Sequence, residues 1–169
     1  MITCGLAVGT RATDDRLMEP SIFEVAGGQP AFLALAQAWH LRCLADPVVS
    51  HAFLHPGQHP DHVARLAAYW AQALGGPATY TETMGDHSFV LRLHSGNGEH
   101  PEMDERAQAC FAQALDDAGL PPDERLRSAL RGYFRWATTA MAAYPESPEG
   151  VPSDLPLPRW SWDGPGDAA

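Results

Sequence analysis

The sequence predicts an all-α domain, and three observations support that fold class. Apolar residues recur at steps of three and four in four separate segments, which is the period of an amphipathic helix. Glycine pairs and prolines separate these segments, and alternating stretches typical of strands are rare. The 169 residues, of which 45% are hydrophobic, are enough for one domain with a buried core.

The first two predicted helices lie in the N-terminal third of the chain. Ser21 can cap a short helix that Gly27 and Gly28 stop. The second helix begins at Pro30 and ends before Asp46–Pro47, since a residue that precedes proline disfavours the helical conformation. Its apolar stripe contains a histidine and consists of Phe32, Leu35, Ala36, Trp39, His40 and Cys43.

The middle of the chain is predicted to hold two more helices. Residues 61–74 form a helix that Gly75–Gly76–Pro77 terminates. The apolar patch at 89–91 is compatible with a strand, but we favour a short helix that ends near His94, because the turn-forming residues 95–98 then serve as its exit. The inner face of the longer helix is predicted to contain His62, Leu66, Tyr69 or Trp70, and Ala73.

Two helices and a proline-rich extension complete the chain. One helix begins at Pro101 and ends at Gly119, and the other spans residues 123–143. Six prolines follow Tyr144, so the extension is not helical. Because it carries two tryptophans, we expect Leu155–Trp162 to pack back onto the domain. The predicted organisation is a poorly ordered leader (1–20), a helical domain (21–144) and the proline-rich C-terminal extension (145–169).

Charge and cysteine content exclude several classes of function. The chain has 21 acidic and 11 basic residues and a net charge of −10, so we expect neither nucleic acid nor an anionic membrane as a partner. Cys4, Cys43 and Cys110 are widely spaced, which indicates neither a disulfide framework nor a thiolate zinc site. No apolar run approaches the ~20 residues of a membrane span, and no signal peptide is evident, so we expect a cytoplasmic protein.

Histidine is abundant, with eight in the chain, and three of them lie at inward-facing positions of separate segments. These are His40, His62 and His94. A single buried histidine most often bonds a backbone carbonyl, because a buried imidazole needs a partner. Three such residues on three segments favour a ligand pocket.

A second histidine cluster offers a competing hypothesis. His51, His55, His59 and His62 follow at steps of four, four and three, which suits zinc or copper on one helical face. Proline and glycine residues interrupt that face at 56, 57 and 60, so the alternative is an exposed loop that binds metal loosely. The sequence contains no serine-hydrolase elbow, phosphate loop, H-E-x-x-H or dinucleotide-binding motif.

Residues 21–143 resemble the truncated haemoglobins, and group II of that family in particular. Two glycine breaks with Asp-Pro and a phenylalanine between them, followed by a downstream histidine, form the characteristic combination. The landmarks in chain order are Phe23–Gly28, Trp39–His40, Asp46–Pro47, Phe53, Arg65–Leu66, Gly75–Gly76–Pro77, Tyr80, Gly85, His87, Leu91–Arg92 and His94.

This resemblance implies a two-over-two helical sandwich around haem b. His94 matches the proximal iron ligand, and His87 matches the family's earlier histidine. Phe53 matches the aromatic residue that packs against the haem face, while His62 and Leu66 match distal positions that face the gas ligand. The other residues expected to line the haem are Trp39, Tyr69, Trp70, Leu91, Arg92, Ala107 and Phe111.

Two residues depart from the family pattern and indicate a divergent branch. His40 stands where the family usually has tyrosine, and Ala107 where group II members usually have tryptophan. Either His40 or His62 is then expected to donate to the gas ligand, to act as an acid–base group, or to bind the iron itself. Arg92 either pairs with a haem propionate or is an ordinary surface charge.

The expected function is a haem globin that binds oxygen or another diatomic ligand. Redox turnover of reactive oxygen or nitrogen species, of the peroxidase or nitric oxide dioxygenase type, is left open; it would need an as yet unidentified reductase. A homodimer is also compatible with the resemblance. The alternatives are a haem-less globin-fold interaction module, which His40 and Ala107 favour, and a non-haem metal protein that uses the four-histidine cluster.

Overall fold

The computed structural model describes residues 19–54 and 59–166. Apart from its last two residues, the predicted leader lies outside these ranges. The described residues form seven α-helices: α1 (Ile22–Ala26), α2 (Gly28–Ala45), α3 (His62–Ala73), α4 (Thr79–Thr83), α5 (His87–His94), α6 (Pro101–Asp117) and α7 (Glu124–Met141). The shorter elements are 3-10 turns at Val49–Phe53 and Pro148–Gly150, and strands β1 (Arg159–Ser161) and β2 (Gly164–Gly166). The all-α prediction is confirmed.

The glycine breaks position α1 against the end of α3. Ser21 and Glu24 form a capping box at the start of α1, and Gly27 ends that helix at φ 110°. A Cβ atom at Gly75 would lie 2.7 Å from the Ser21 Cβ, and one at Gly76 would lie 2.8 Å from the Phe23 ring. The second glycine pair therefore permits a close approach between α1 and α3, in addition to the predicted helix end.

The core forms where α2 packs against α3 and α6, and where α6 packs against α7. Every residue from Ala67 to Leu74 is buried, so the second half of α3 is enclosed on all sides. The prediction of a single inner face for this helix is wrong over that stretch. The polar Gln72 is accommodated because its amide bonds the backbone and hydroxyl of Thr81.

The ambiguous apolar patch is helical, as predicted. Asp86 caps α5 by accepting a hydrogen bond from the Phe89 backbone N–H at 2.8 Å. The helix ends at His94, and the glycine-containing turn follows it. The predicted exit at residues 95–98 is confirmed, with both glycines at positive φ.

The chain after α7 folds back along the domain. Strands β1 and β2 form an antiparallel hairpin in which Trp160 pairs with Pro165. The Trp160 ring contacts those of Tyr133 and Trp136 on α7, and the indole N–H of Trp162 donates to the Pro20 carbonyl at 2.8 Å. None of the helices in the described ranges has the length and apolar character required to traverse a bilayer.

Candidate functional site

His94 ends the short helix α5 with its imidazole held by the backbone. Its Nδ1 lies 2.8 Å from the Val90 carbonyl oxygen, one helical turn earlier. A carbonyl can only accept, so Nδ1 carries the proton and donates it. In the neutral imidazole Nε2 then retains its lone pair, which is the state that a metal ligand requires.

Several nearby groups act on the pKa of His94. The side chain is accessible to solvent, yet burial by the surrounding protein lowers its pKa. The Val90 hydrogen bond and Asp104 act in the opposite direction, and His100 adds to the lowering. The net direction favours the neutral, ligand-competent imidazole.

An uncovered apolar face accompanies this histidine. Phe89 is 45% exposed and Leu93 62% exposed, although both are large apolar side chains. At about 100° per residue they share one side of α5 with Val90 and His94. The opposite side of the helix is buried. An apolar face with a histidine at its edge suits a flat apolar group that carries a metal.

Three further rings meet between α2, the first 3-10 turn and α3. The ring centroid of His40 lies 5.0 Å from that of Phe53 and 5.5 Å from that of His62, and Phe53 lies 5.8 Å from His62. Nδ1 of His40 is buried and has no hydrogen-bond partner among the described residues. Burial lowers the pKa of His40. The structure thus brings together His40, His62 and Phe53.

Several predicted lining residues form the aromatic core beside this cluster. The Trp39 ring meets the rings of Phe53, Trp70 and Phe134 edge to face. Phe111 stacks on Phe134 with centroids 4.2 Å apart. The buried core continues from Phe53 inward, and its edge-to-face contacts add to the stability of the α2–α3–α6–α7 packing.

Ala107 takes part in this core through its backbone. The indole Nε1–H of Trp39 donates to the Ala107 carbonyl at 3.1 Å. The small side chain of Ala107 lets the indole approach α6 closely. The Trp39 indole therefore contacts the position where the resemblance implies a tryptophan, and its Nε1–H is already used.

His87 and Leu91 tie α5 to the interior and are both buried. Nδ1 of His87 lies 2.8 Å from the Tyr69 hydroxyl. Burial raises the pKa of Tyr69 and lowers the pKa of His87, so both groups are neutral at neutral pH. The phenol and Nδ1 then share a hydrogen bond between neutral groups, which makes this pair an anchor between α3 and α5.

Arg92 points along the C-terminal part of the chain. Its Nη2 donates to the Ser153 hydroxyl at 3.2 Å and lies 3.5 Å from the Val151 and Pro152 carbonyl oxygens. These contacts are on the side of α5 away from His94, and the predicted propionate contact stays a prediction. The sequence analysis did not predict this set of contacts.

The four-histidine cluster receives no support. His51 is exposed, and Nδ1 of His59 accepts from the Asp61 backbone N–H at 3.0 Å. His55 lies outside the described residues. Within the ranges that the structure describes, no group of three or more histidine, cysteine or acidic side chains is arranged to hold a metal ion.

Comparison with known proteins agrees with this architecture. Residues 21–140 match the bacterial-like globin family. The haemoglobin of Chloroflexus aurantiacus is 32% identical, with a TM-score of 0.61, and the match covers 73% of this chain and 98% of that protein. The haemoglobin of Thermobifida fusca is 29% identical, with a TM-score of 0.60 and coverage of 75% and 100%. A search of curated proteins gives no significant match.

A group II truncated haemoglobin from Bacillus anthracis shares the fold, with 24% identity, a TM-score of 0.63 and coverage of 75% of this chain and 93% of that one. Fold and site together define a truncated globin. The chain belongs to the bacterial-like globin family, and it is a haem-binding globin similar to the group II truncated haemoglobins. The donor nitrogen of His94 and the uncovered face at Phe89 and Leu93 fit such a cofactor.

Proposed function

We propose that this globin holds haem b through Nε2 of His94 and binds oxygen or another diatomic gas on the opposite side. The hydrogen bond from Nδ1 of His94 to the Val90 carbonyl carries the proposal, because it leaves Nε2 as a basic, oriented donor. The b-type cofactor is favoured because no C-x-x-C-H motif for covalent attachment occurs in the sequence. When bound, haem iron supplies an open coordination position for a diatomic ligand.

Apolar side chains would enclose the porphyrin and exclude water from it. Phe89 and Leu93 offer the uncovered face on the His94 side, and the half-buried Val90 lies beside them. Phe53 and Leu66 are partly buried residues that pack against the core and are the proposed contacts on the other side. Burying Phe89 and Leu93 against the cofactor contributes about 1.5–3 kcal/mol for each side chain that becomes fully covered.

Imidazoles are the proposed control groups on the gas side. The Trp39 N–H is committed to Ala107, so it is not available to a ligand. His40 is neutral at neutral pH because burial lowers its pKa, and its Nδ1 can donate a hydrogen bond or accept a proton. His62 lies beside it and is the second candidate for the same work.

This arrangement supports gas binding first and redox turnover second. A neutral imidazole that can take up and return a proton suits the reduction of a peroxide or the oxidation of nitric oxide. Such turnover requires an electron donor, so a reductase is part of this second proposal. A cytoplasmic location and a homodimer complete the proposal.

A visible spectrum of the full chain, produced with haem supply, tests the proposal. We expect a Soret band that shifts when carbon monoxide is added to the ferrous protein. His94→Ala should lose or strongly alter that band, whereas the exposed control His51→Ala should keep it. A folded chain that stays colourless with added hemin would overturn the proposal and favour a haem-less binding module.

A further inference from the structure

A segment that follows α7 runs antiparallel along α5, and we call residues 144–155 the C-terminal strap. At one end of α5, the backbone N–H groups of Gly96 and Gly98 donate to the carbonyls of Tyr144 and Pro145, each at 3.0 Å. Pro148 packs against Gly96, where an added Cβ would lie 3.1 Å from the proline ring. The strap therefore starts at the exit of the helix that carries His94.

The strap then follows α5 towards its beginning. The guanidinium of Arg92 reaches the Ser153 hydroxyl at 3.2 Å. At the far end the backbone N–H of Leu155 donates to the hydroxyl of Ser88 at 3.0 Å. The Arg92–Ser153 hydrogen bond lies at the surface. Ser88 is 1% exposed and Val151 is 5% exposed, so the hydrogen bond to Ser88 is largely shielded from water. A buried hydrogen bond of this kind is costly to remove because its partner is left unsatisfied.

The strap and the proposed haem face lie on different sides of the same helix. At about 100° per residue, Ser88 and Arg92 share one side of α5, while Val90 and His94 point to the other. The helix has eight residues, which is too short to be stable without tertiary contacts. The contacts on the Ser88–Arg92 side of α5 therefore determine the position of His94.

The strap lies beyond the residues that match the globin family. The family match ends at residue 140, before the strap begins. The proximal helix of this globin consequently gains support from a segment outside the family match.

We propose that the C-terminal strap sets the orientation of His94 by clamping α5, with Ser88 and Arg92 as positioning residues. The inference rests on the proposed function, because orientation matters when His94 holds the iron. It gives Arg92 a defined partner within the chain. The strap stiffens α5 and thereby slows the loss of the cofactor.

Ser88→Ala and Arg92→Ala test the strap in the full chain, and Arg92→Lys is the conservative variant that keeps a donor for Ser153. Trp162→Phe is the matched control, since it removes a hydrogen bond of the C-terminal extension that does not touch α5. Arg92 is only half-buried, so its variants remain informative if Ser88→Ala does not fold.

The first measurement is amide hydrogen exchange of the hemin-free chain. We expect the exchange rate in α5 to rise roughly three- to tenfold in both alanine variants, because each variant loses one hydrogen bond. The exchange rates in α3 and α6 should not change. Trp162→Phe should leave α5 unchanged, and Arg92→Lys should recover part of the protection. Exchange in α5 equal to that of the wild type in both alanine variants would overturn the strap.

The second measurement is the iron–histidine stretching band of the ferrous protein, together with hemin transfer to apomyoglobin. Both alanine variants should shift the iron–histidine band and speed hemin transfer severalfold. A general loss of stability would speed the transfer but would leave the band unshifted. An unshifted band in folded variants contradicts the positioning role. If the wild type binds no hemin, the proposed function fails while the exchange experiment still decides whether the strap holds α5.

Discussion

Helices α3 and α5 provide the two sides of the proposed site in opposite ways. The second half of α3 is buried on every side, and the rings of His40, Phe53 and His62 meet at its beginning. Helix α5 leaves large apolar residues uncovered and depends on contacts behind it. The proposed gas side thus adjoins the buried core, whereas the proposed metal-ligand side is a short helix held by contacts with the C-terminal strap. The two sides should respond differently to substitution.

The largest expected effect is a difference in unfolding free energy between a buried substitution in α3 and an exposed substitution in α5. Trp70→Ala in α3 should cost about 3–5 kcal/mol of unfolding free energy, because it leaves a cavity among Trp39, Phe111 and Phe134. Leu93→Ala in α5 should stay within about 0.5 kcal/mol in the hemin-free chain, since its side chain is exposed. Urea unfolding of both variants measures the difference, and similar losses would contradict it.

A smaller effect is expected where α1 meets the end of α3. Gly75→Ala should cost about 2–4 kcal/mol, because φ is +98° and the new Cβ lies 2.7 Å from that of Ser21. Gly119→Ala is the control: its φ is +67°, but no atom of the described residues lies within 4 Å of its Cβ. Gly119→Ala should therefore lose only about 1–2 kcal/mol of stability, from the backbone strain at positive φ. Equal costs in thermal unfolding would mean that the close approach does not matter.

The connection between α2 and α6 predicts an effect in acid. The guanidinium of Arg106 holds the pKa of Asp46 down at about 2 through paired hydrogen bonds. The pKa is lower in the folded state, so this stability is present above the unfolded pKa and is lost as pH falls from about 4 to about 2. Asp46→Asn should lack that part of the decline in a series of melting temperatures against pH. If Asp46→Asn showed the same decline of melting temperature in acid as the wild type, the Asp46–Arg106 interaction would not be its cause.

The smallest expected effect concerns His40 near neutral pH. Burial lowers its folded pKa below the ordinary value of 6.5, so the unfolded chain takes up a proton first as pH falls. Stability should therefore decline as pH drops below about 6.5, and His40→Gln should flatten this part of the profile. The exposed control His51→Gln should keep the wild-type shape. Identical profiles for wild type and His40→Gln would rule out a buried neutral imidazole.

Local features of the fold could be predicted from the sequence. The cap at Ser21, the break at Gly27 and the end of α5 at His94 depend on residues within about four positions, so the pattern contains them. The candidate ligand His94 was also recognisable, because it follows the apolar patch at a helix end. What the pattern could not show was the enclosure of the second half of α3, since that depends on packing between separate helices.

The sequence by itself determined the class of fold, the approximate extent of the long helices and the histidines available for chemistry, because spacing and turn residues act over a few positions. It did not predict α4 or the start of α2 at Gly28. Only the tertiary structure decided the partners of these residues. The indole N–H of Trp39 donates to the carbonyl of Ala107, 68 positions away, and the backbone N–H of Leu155 donates to the hydroxyl of Ser88, 67 positions away. Contacts of this range arise when separate helices pack, and packing selects one partner among many that the sequence alone would allow.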